Sequence, residues 1–164
     1  LEGGEMALSL GEEIMEDPII EELGLLSGKP QIFLLNGVEG DISDELKKKI
    51  EELGFNHITA DLGQSVDLGK LIRESYKTLD LITFFTTGPK ETRGWTLQKG
   101  GSAPQAGGVI HSDFESKFIR AEVIFTDKLL EAQSWSAAKA KGWVRTEGKN
   151  YIIEDGDVLL IHHS

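Results

Sequence analysis

The sequence contains no cysteine, and its basic residues are scarce relative to its acidic ones. Without cysteine there is no disulfide framework, no thiolate metal site and no cysteine nucleophile, so packing alone must hold the fold. Lys and Arg number 17 against 28 Asp and Glu, which gives a formal net charge of -11. A chain this acidic is not suited to broad attachment to nucleic acid phosphates. Any RNA contact must therefore come from a local basic patch.

Long hydrophobic runs are also missing. No stretch approaches the roughly 20 apolar residues that cross a bilayer, and the acidic N-terminal segment lacks the basic start of a secretion signal. We therefore expect a soluble, cytoplasmic protein without a membrane partner. Apolar residues make up 39% of the chain and charged residues 27%, which is a globular composition. The length of 164 residues suits two small domains.

Helix-like and strand-like patterns alternate in the first half of the chain. Apolar residues at helical spacing predict helices over 12–26, 43–53 and 68–79, and Pro18 is expected to start the better-formed part of the first. The run QIFLL at 31–35 predicts a strand buried on both faces, and 55–60 predicts a second strand. This alternation predicts a parallel α/β layer. The residues expected to face the core from the last helix are Leu68, Leu71, Ile72, Ser75 and Leu79.

The period of the apolar pattern changes near residue 80, which predicts a domain boundary there. After it, turn signals alternate with short strand-like runs. Hairpin, helix, strand and closing strands follow the order of a β-grasp fold. The predicted elements are a hairpin over 81–87 and 92–98, a helix over 103–114, a strand over 118–125, a short turn or helix over 127–132, a small strand over 143–145 and a tight strand pair over 151–153 and 158–161.

The loop Asn36-Gly37-Val38-Glu39 follows the first predicted strand, and open α/β sheets bind ligands at the carboxyl ends of their strands. GTPases carry Asn-Lys-x-Asp in such a loop, where the Asp accepts hydrogen bonds from guanine. The sequence here resembles the Asn-x-x-Glu variant of the YchF family, in which adenine is accepted instead. That resemblance implies that Asn36, Val38 and Glu39 border the base. An ordinary turn with Glu39 in water is the alternative.

No segment of the form G-x-x-x-x-G-K-[ST] occurs in the sequence, so nothing in it cradles the β- and γ-phosphates or orders magnesium. We therefore do not expect this chain alone to hydrolyse ATP, and no catalytic residue is assigned. An enzyme with its own active site would need a catalytic set, and no G-x-S-x-G or similar signature is present. His111 and Asp113 lack a third metal ligand at useful spacing, so a helix-end hydrogen bond is expected there and no metal site.

A second signature runs through most of the last half. The segments DLITFFTTGPKETRGWTLQKGGSAPQAGGVIHSDFESKFIRAEVI and EGKNYIIEDGDVLLIHHS closely resemble the TGS domain of YchF-type, Obg-like ATPases. LEGGEMALSL and LGLLSGKPQIFLLNGVEG resemble the preceding part of the same family, in the same order. The resemblance implies the C-terminal portion of an α/β, P-loop-type nucleotide-binding domain over 1–79. It implies an α+β, β-grasp (ubiquitin-like) TGS domain over 80–164.

The same resemblance implies a nucleotide-binding, ribosome-associated protein of the translation-factor type, present here as a non-hydrolysing fragment. Its implied cofactors are ATP, with GTP as the alternative, and Mg2+ in the intact parent protein. Its implied partners are the ribosome or rRNA, reached through the TGS domain, and a missing N-terminal ATPase half. The second functional reading is a free-standing β-grasp protein-interaction module without nucleotide binding. The candidate RNA contacts, for which ordinary solvated charge is the alternative, are Lys90, Arg93, Lys99, Lys117 and Arg120.

Overall fold

The computed structural model describes residues 6–64, 68–88 and 91–164 of the chain. The chain forms two compact units, Leu1–Leu79 and Asp80–Ser164. No helix within the described residues combines the length and the apolar character needed to cross a membrane.

The first unit is built around two parallel strands, β1 (Ile32–Asn36) and β2 (Asn56–Ala60). The parallel pairing expected from the alternating pattern is thereby confirmed. The segment 12–26 forms two short helices, and the second begins at Pro18 as predicted, because Pro is accommodated in the first turn of a helix but not in its interior. The helices of this unit are α1 (Glu12–Met15), α2 (Pro18–Glu22), α3 (Asp44–Glu52) and α4 (Leu68–Thr78), with 3-10 turns at Ala7–Leu10, Leu26–Gly28 and Glu39–Asp41.

Helix α3 begins and ends as its sequence predicts. The Ser43 hydroxyl oxygen accepts a hydrogen bond from the backbone N–H of Leu46 at 3.3 Å, which satisfies one donor of the first turn. Gly54 follows the helix with a positive φ of 79°, a conformation that ends helices at little cost for glycine. Ile50 is the buried residue of the helix and packs it onto the strands.

The apolar residues of the first unit are less buried than the sequence predicts. Phe33 and Leu34 of β1 are 36% and 39% exposed, so the expectation of a strand buried on both faces is wrong. Leu68 and Ile72 of α4 are exposed as well, and no residue of that helix is buried. The physical reason is that the sheet of the described residues has two strands, and such a sheet offers too little surface to cover its strands and helices on every side.

The second unit contains a five-stranded mixed sheet in the order β4-β3-β7-β5-β6. The predicted hairpin is confirmed: its two strands are antiparallel, and Phe84 lies opposite Trp95. The last strand, Asp157–His163, lies in the middle of this sheet. It runs parallel to the first strand of the hairpin and antiparallel to the strand Phe118–Phe125. The strands are β3 (Leu81–Thr87), β4 (Thr92–Gln98), β5 (Phe118–Phe125), β6 (Arg145–Glu147) and β7 (Asp157–His163).

Helices cover both faces of this sheet. One face carries a core that includes Phe84 and Leu159 and packs on α5 (Ala103–Ile110), which α6 (Ser112–Ser116) follows directly. The other face carries a smaller core around Ile124 and Val158, covered by the helices that follow β5. These last two helices are α7 (Thr126–Ala132) and α8 (Trp135–Ala140).

The tight strand pair expected over 151–153 and 158–161 is wrong. Ile152 forms an isolated bridge with Ser102 instead, while β7 inserts between β3 and β5. A local turn cannot reveal this, because both partners of β7 lie more than 30 positions away in the chain. The short helix α8 was also not anticipated, although Ser134 caps it by accepting from the backbone N–H of Ala137 at 3.1 Å.

Candidate functional site

The loops that follow β1 and β2 lie side by side. Asn36 pairs with Ala60 at the carboxyl ends of the two parallel strands. The Asn36 side-chain oxygen accepts a hydrogen bond from the backbone N–H of Leu62 at 3.0 Å, and the N–H of Gly37 donates to the carbonyl of Ala60 at 3.1 Å. These two bonds tie the loops together at the edge where open α/β sheets bind ligands.

Glu39 presents a charged carboxylate at this edge. Its side chain is 74% exposed, and one of its oxygens lies 2.5 Å from the ammonium nitrogen of Lys47, whose own side chain is 16% exposed. The hydrogen bond and the positive charge of Lys47 lower the pKa of the Glu39 carboxyl, so this group is ionised at neutral pH. Lys47 lies in the Ser43-capped helix α3, and sequence reasoning missed it although its position in the first half of that helix was visible.

The structure thus brings the three predicted base-binding residues to one loop edge. The amide oxygen of Asn36 accepts the hydrogen bond from Leu62, and Glu39 forms an ion pair with Lys47. Val38 between them is about half exposed. A carboxylate that accepts hydrogen bonds and an apolar side chain beside it have the chemistry to contact a purine that carries an amino group. Their assignment to a nucleotide base stays a prediction.

The candidate RNA contacts of the second unit do not form one cluster. The Arg93 guanidinium on β4 lies 4.2 Å from the ring centroid of Trp95, whereas Lys117 is paired with Asp113 near the end of α6 at 3.4 Å. Because side chains alternate along strands and the paired strands are in register, Arg93 and Arg120 point to opposite faces of the sheet.

The two remaining candidate RNA contacts, Lys99 and Lys90, do not complete a cluster among the described residues. Lys99 lies 3.7 Å from a carboxylate oxygen of Asp80, at the start of the second unit. Lys90 lies outside the residues that the structure describes. The assignment of all five basic residues to RNA stays a prediction.

His111 forms the helix-end hydrogen bond that its sequence position predicts. Its Nδ1 accepts from the backbone N–H of Asp113 at 3.2 Å and caps α6. Within the described ranges, no group of three or more His, Asp or Glu side chains is placed to hold a metal ion.

Glu122 is a buried carboxylate that no sequence signal revealed. One of its oxygens accepts hydrogen bonds from the Lys139 ammonium at 2.7 Å and from the Trp135 indole N–H at 3.0 Å. The other lies 3.2 Å from Nε2 of His162. The hydrogen bond from Lys139 lowers the pKa of Glu122 more than burial raises it. Both Lys139 and Trp135 belong to α8, so this cluster fastens that helix to the middle of the sheet.

An apolar groove of about 900 Å³ opens beside this cluster, between the sheet and α7. Phe85 and Val158 form its floor, and Leu129, Leu130 and Trp135 form one wall. Leu130 on this wall is 71% exposed.

Comparison with known proteins gives a consistent result. Residues 81–164 match the family model YchF-GTPase_C, described as a protein of unknown function (DUF933). The ribosome-binding ATPase YchF of Mycoplasma genitalium is 36% identical over 190 aligned residues, which cover 96% of this chain and 52% of that protein. Obg-like ATPase 1 of Rattus norvegicus is 37% identical over 167 residues, which cover 83% of this chain and 42% of that protein.

A solved structure agrees with these relatives. The Schizosaccharomyces pombe YchF GTPase has a TM-score of 0.79 to this chain at 32% sequence identity, and the match covers 98% of this chain and 50% of that one. The mixed sheet with its helices is therefore shared with that protein. The chain spans about half the length of the relatives it matches.

Proposed function

Because this chain belongs to the family of YchF-type, Obg-like ATPases, we propose that it supplies the base-side part of a nucleotide site together with a ribosome-associating domain. The observation that carries the proposal is the exposed, ionised Glu39 held beside Asn36 at the carboxyl ends of two parallel strands. The unit 1–79 is then the C-terminal portion of a P-loop-type nucleotide-binding domain. The unit 80–164 is a TGS domain of β-grasp fold.

In this proposal the nucleotide of the intact parent protein is ATP, with GTP as the alternative, bound with Mg2+. Asn36, Val38 and Glu39 border its base, and a carboxylate suits adenine because the adenine amino group donates hydrogen bonds. The sequence has no phosphate-binding G-x-x-x-x-G-K-[ST] segment, so the phosphates and Mg2+ fall to a separate N-terminal ATPase half. The exposed Phe33 and Leu34 support a further element of that domain packing on β1. By itself the chain does not hydrolyse ATP.

The partner of the second unit is proposed to be the ribosome, contacted through rRNA in the cytoplasm. The support is that a relative aligned to 96% of this chain is named a ribosome-binding ATPase. The candidate contacts carried over from the sequence are Lys90, Arg93, Lys99, Lys117 and Arg120.

Cosedimentation of the purified chain with ribosomes at two salt concentrations tests the ribosomal partner. We expect the chain in the ribosomal pellet at low salt and a loss of binding at high salt, because phosphate contacts release counterions. A chain that stays in the supernatant at low salt would overturn the proposed partner.

A second candidate function is a protein-interaction module that binds no nucleotide. The apolar groove lined by Phe85, Leu129 and Trp135 favours it, because concave apolar surfaces of this size commonly accept ligands or partner side chains. The two candidates differ in the salt test: apolar docking into the groove persists at high salt, whereas phosphate contacts do not.

A further inference from the structure

Basic and aromatic side chains meet at the edge strand β6 and in the segment that leads into it. Between residues 139 and 149 the sequence carries four of its 17 Lys and Arg residues and a single acidic one, Glu147. The ammonium groups of Lys128 and Lys141 lie 4.7 Å and 4.3 Å from the ring centroid of Trp143. We use the name basic edge for Lys128, Lys141, Trp143, Arg145 and Lys149.

The positive charge of the basic edge is only partly neutralised. Lys128 lies 3.3 Å from a carboxylate oxygen of Glu131, and Arg145 lies 3.6 Å from carboxylate oxygens of both Glu147 and Asp157. Among the residues described here, Lys141 and Lys149 have no carboxylate within ion-pair distance, and both are exposed. Because the chain as a whole is strongly acidic, two neighbouring lysines without a described carboxylate partner stand out against their surroundings.

Arg145 is held in place rather than free in solvent. Its guanidinium lies 5.2 Å from the ring centroid of Phe125 and 5.3 Å from that of Tyr151. It donates a hydrogen bond to the Tyr151 hydroxyl at 2.7 Å and lies 3.6 Å from the buried carboxylate of Asp157. The side chain is still 41% exposed. A cation fixed in advance loses less conformational entropy when it binds an anion.

We propose that the basic edge binds the phosphate backbone of single-stranded RNA. Clustered cations beside aromatic rings are the combination that tracks such strands, because the cations contact phosphates and the rings contact bases. The ring of Phe125, beside Arg145, belongs to a residue that is 37% exposed and offers a face for a base. The partly buried Trp143 holds two ammonium groups within about 9 Å of each other.

This surface differs from the contacts carried over from the sequence. Arg93 lies on β4, the other edge strand of the five-stranded sheet, whereas Arg145 lies on β6. Four strand spacings of about 4.8 Å separate the two edges by roughly 19 Å. The inference rests on the proposed ribosome association, since it names the surface of the chain that contacts RNA.

Fluorescence anisotropy with a labelled single-stranded RNA of about 12 nucleotides tests the basic edge on the whole chain. The variant Lys141→Gln/Lys149→Gln removes its two unpaired charges without placing an acid at the end of α8. We expect its affinity to fall roughly tenfold or more at 50 mM salt, and the slope of log affinity against log salt to shrink by about 0.7 for each lysine. The matched control is Lys29→Gln/Lys49→Gln, which removes the same charge from two exposed lysines of the first unit and is expected to bind like the unmodified chain.

Three results of the anisotropy assay would overturn the inference: no RNA binding by the unmodified chain, equal losses in both variants, or equally effective competition by a poly-glutamate peptide. The last result would identify an acidic protein as the partner. Far-ultraviolet circular dichroism verifies that both variants are folded.

Ribosome cosedimentation of the same variants separates this inference from the proposed function. If the unmodified chain and the basic-edge variant cosediment equally well, the proposed ribosome association is supported and RNA binding by the basic edge is contradicted. If the chain does not cosediment at all, the function fails, and the oligonucleotide result still decides the inference.

Discussion

The hydroxyl group of Tyr151 donates a hydrogen bond at 2.8 Å to the carboxylate of Asp157, a residue with no exposed surface. The same carboxylate oxygen accepts from the backbone N–H of Glu154 at 3.0 Å. The other oxygen has no hydrogen-bond partner among the described residues and lies 3.6 Å from Arg145. This network fastens the turn before β7 to the edge strand β6. Burial raises the pKa of Asp157 above its usual value.

Tyr151→Phe is expected to lower the free energy of unfolding by about 1–3 kcal/mol, because it removes a donor from a buried acceptor and leaves a shape close to the original. Urea unfolding followed by tryptophan fluorescence measures the change. Asn150→Ala, an exposed neighbour, serves as the control and should stay within about 0.5 kcal/mol of the unmodified chain. Equal stability of Tyr151→Phe and the unmodified chain would show that the hydrogen bond contributes nothing net.

Glu122→Gln is expected to destabilise the second unit by about 1–3 kcal/mol at pH 7, because the Lys139 ammonium then loses its charged partner. The folded-state pKa of Glu122 lies below the ordinary value of 4.5, so its contribution to stability is present above that pH. The contribution is lost as the pH falls through the folded-state pKa. Urea unfolding at pH 7 and pH 3 should therefore show a smaller difference between variant and unmodified chain at pH 3. A stability difference that is larger at pH 3 than at pH 7 would contradict this assignment. The control is Glu115→Gln, a substitution at an exposed residue.

Addition of adenosine is expected to shift the backbone amide resonances of Asn36, Val38 and Glu39 in heteronuclear NMR spectra. Glu39→Gln should weaken this binding roughly tenfold, because the charged acceptor for the adenine amino group is lost. Inosine, which carries a carbonyl oxygen where adenosine has its amino group, should bind less well to the unmodified chain. Equal shifts with both nucleosides would contradict the adenine assignment, and no shift with either would leave the loop as a plain turn.

Gly37→Ala is expected to distort the candidate base loop, because Gly37 has a φ of 151°, which side-chain-bearing residues rarely adopt. The strain should be of the order of 1–3 kcal/mol. Hydrogen exchange of the residue 37 amide, which donates to the Ala60 carbonyl, should become faster. Gly40→Ala lies in the same loop with open space around the added Cβ atom and should leave this exchange rate nearly unchanged. Unchanged exchange in both variants would mean that the loop tolerates a side chain at position 37.

Elements whose causes are local could be predicted from the sequence. The hairpin of β3 and β4 could be predicted because a short turn separates its two strand-like runs. The ends of α3 could be predicted from the Ser43 cap and from Gly54. The helix-end role of His111 was equally local. The family could be identified as well, because long runs of the second half follow the pattern of one domain.

Contacts between distant residues could not be predicted from the sequence. The placement of β7 between β3 and β5 depends on partners far away in the chain, and so does the pairing of Glu122 with Lys139 and His162. The basic edge likewise assembles Lys128 of α7 with Trp143 across an intervening helix. Sequence spacing carries no signal for such contacts, because chain closure brings together residues whose local patterns are independent of each other. Burial of β1 was overestimated for the same reason. An apolar run shows that burial of the strand is favourable, but the elements that pack on the strand determine how much of it is buried.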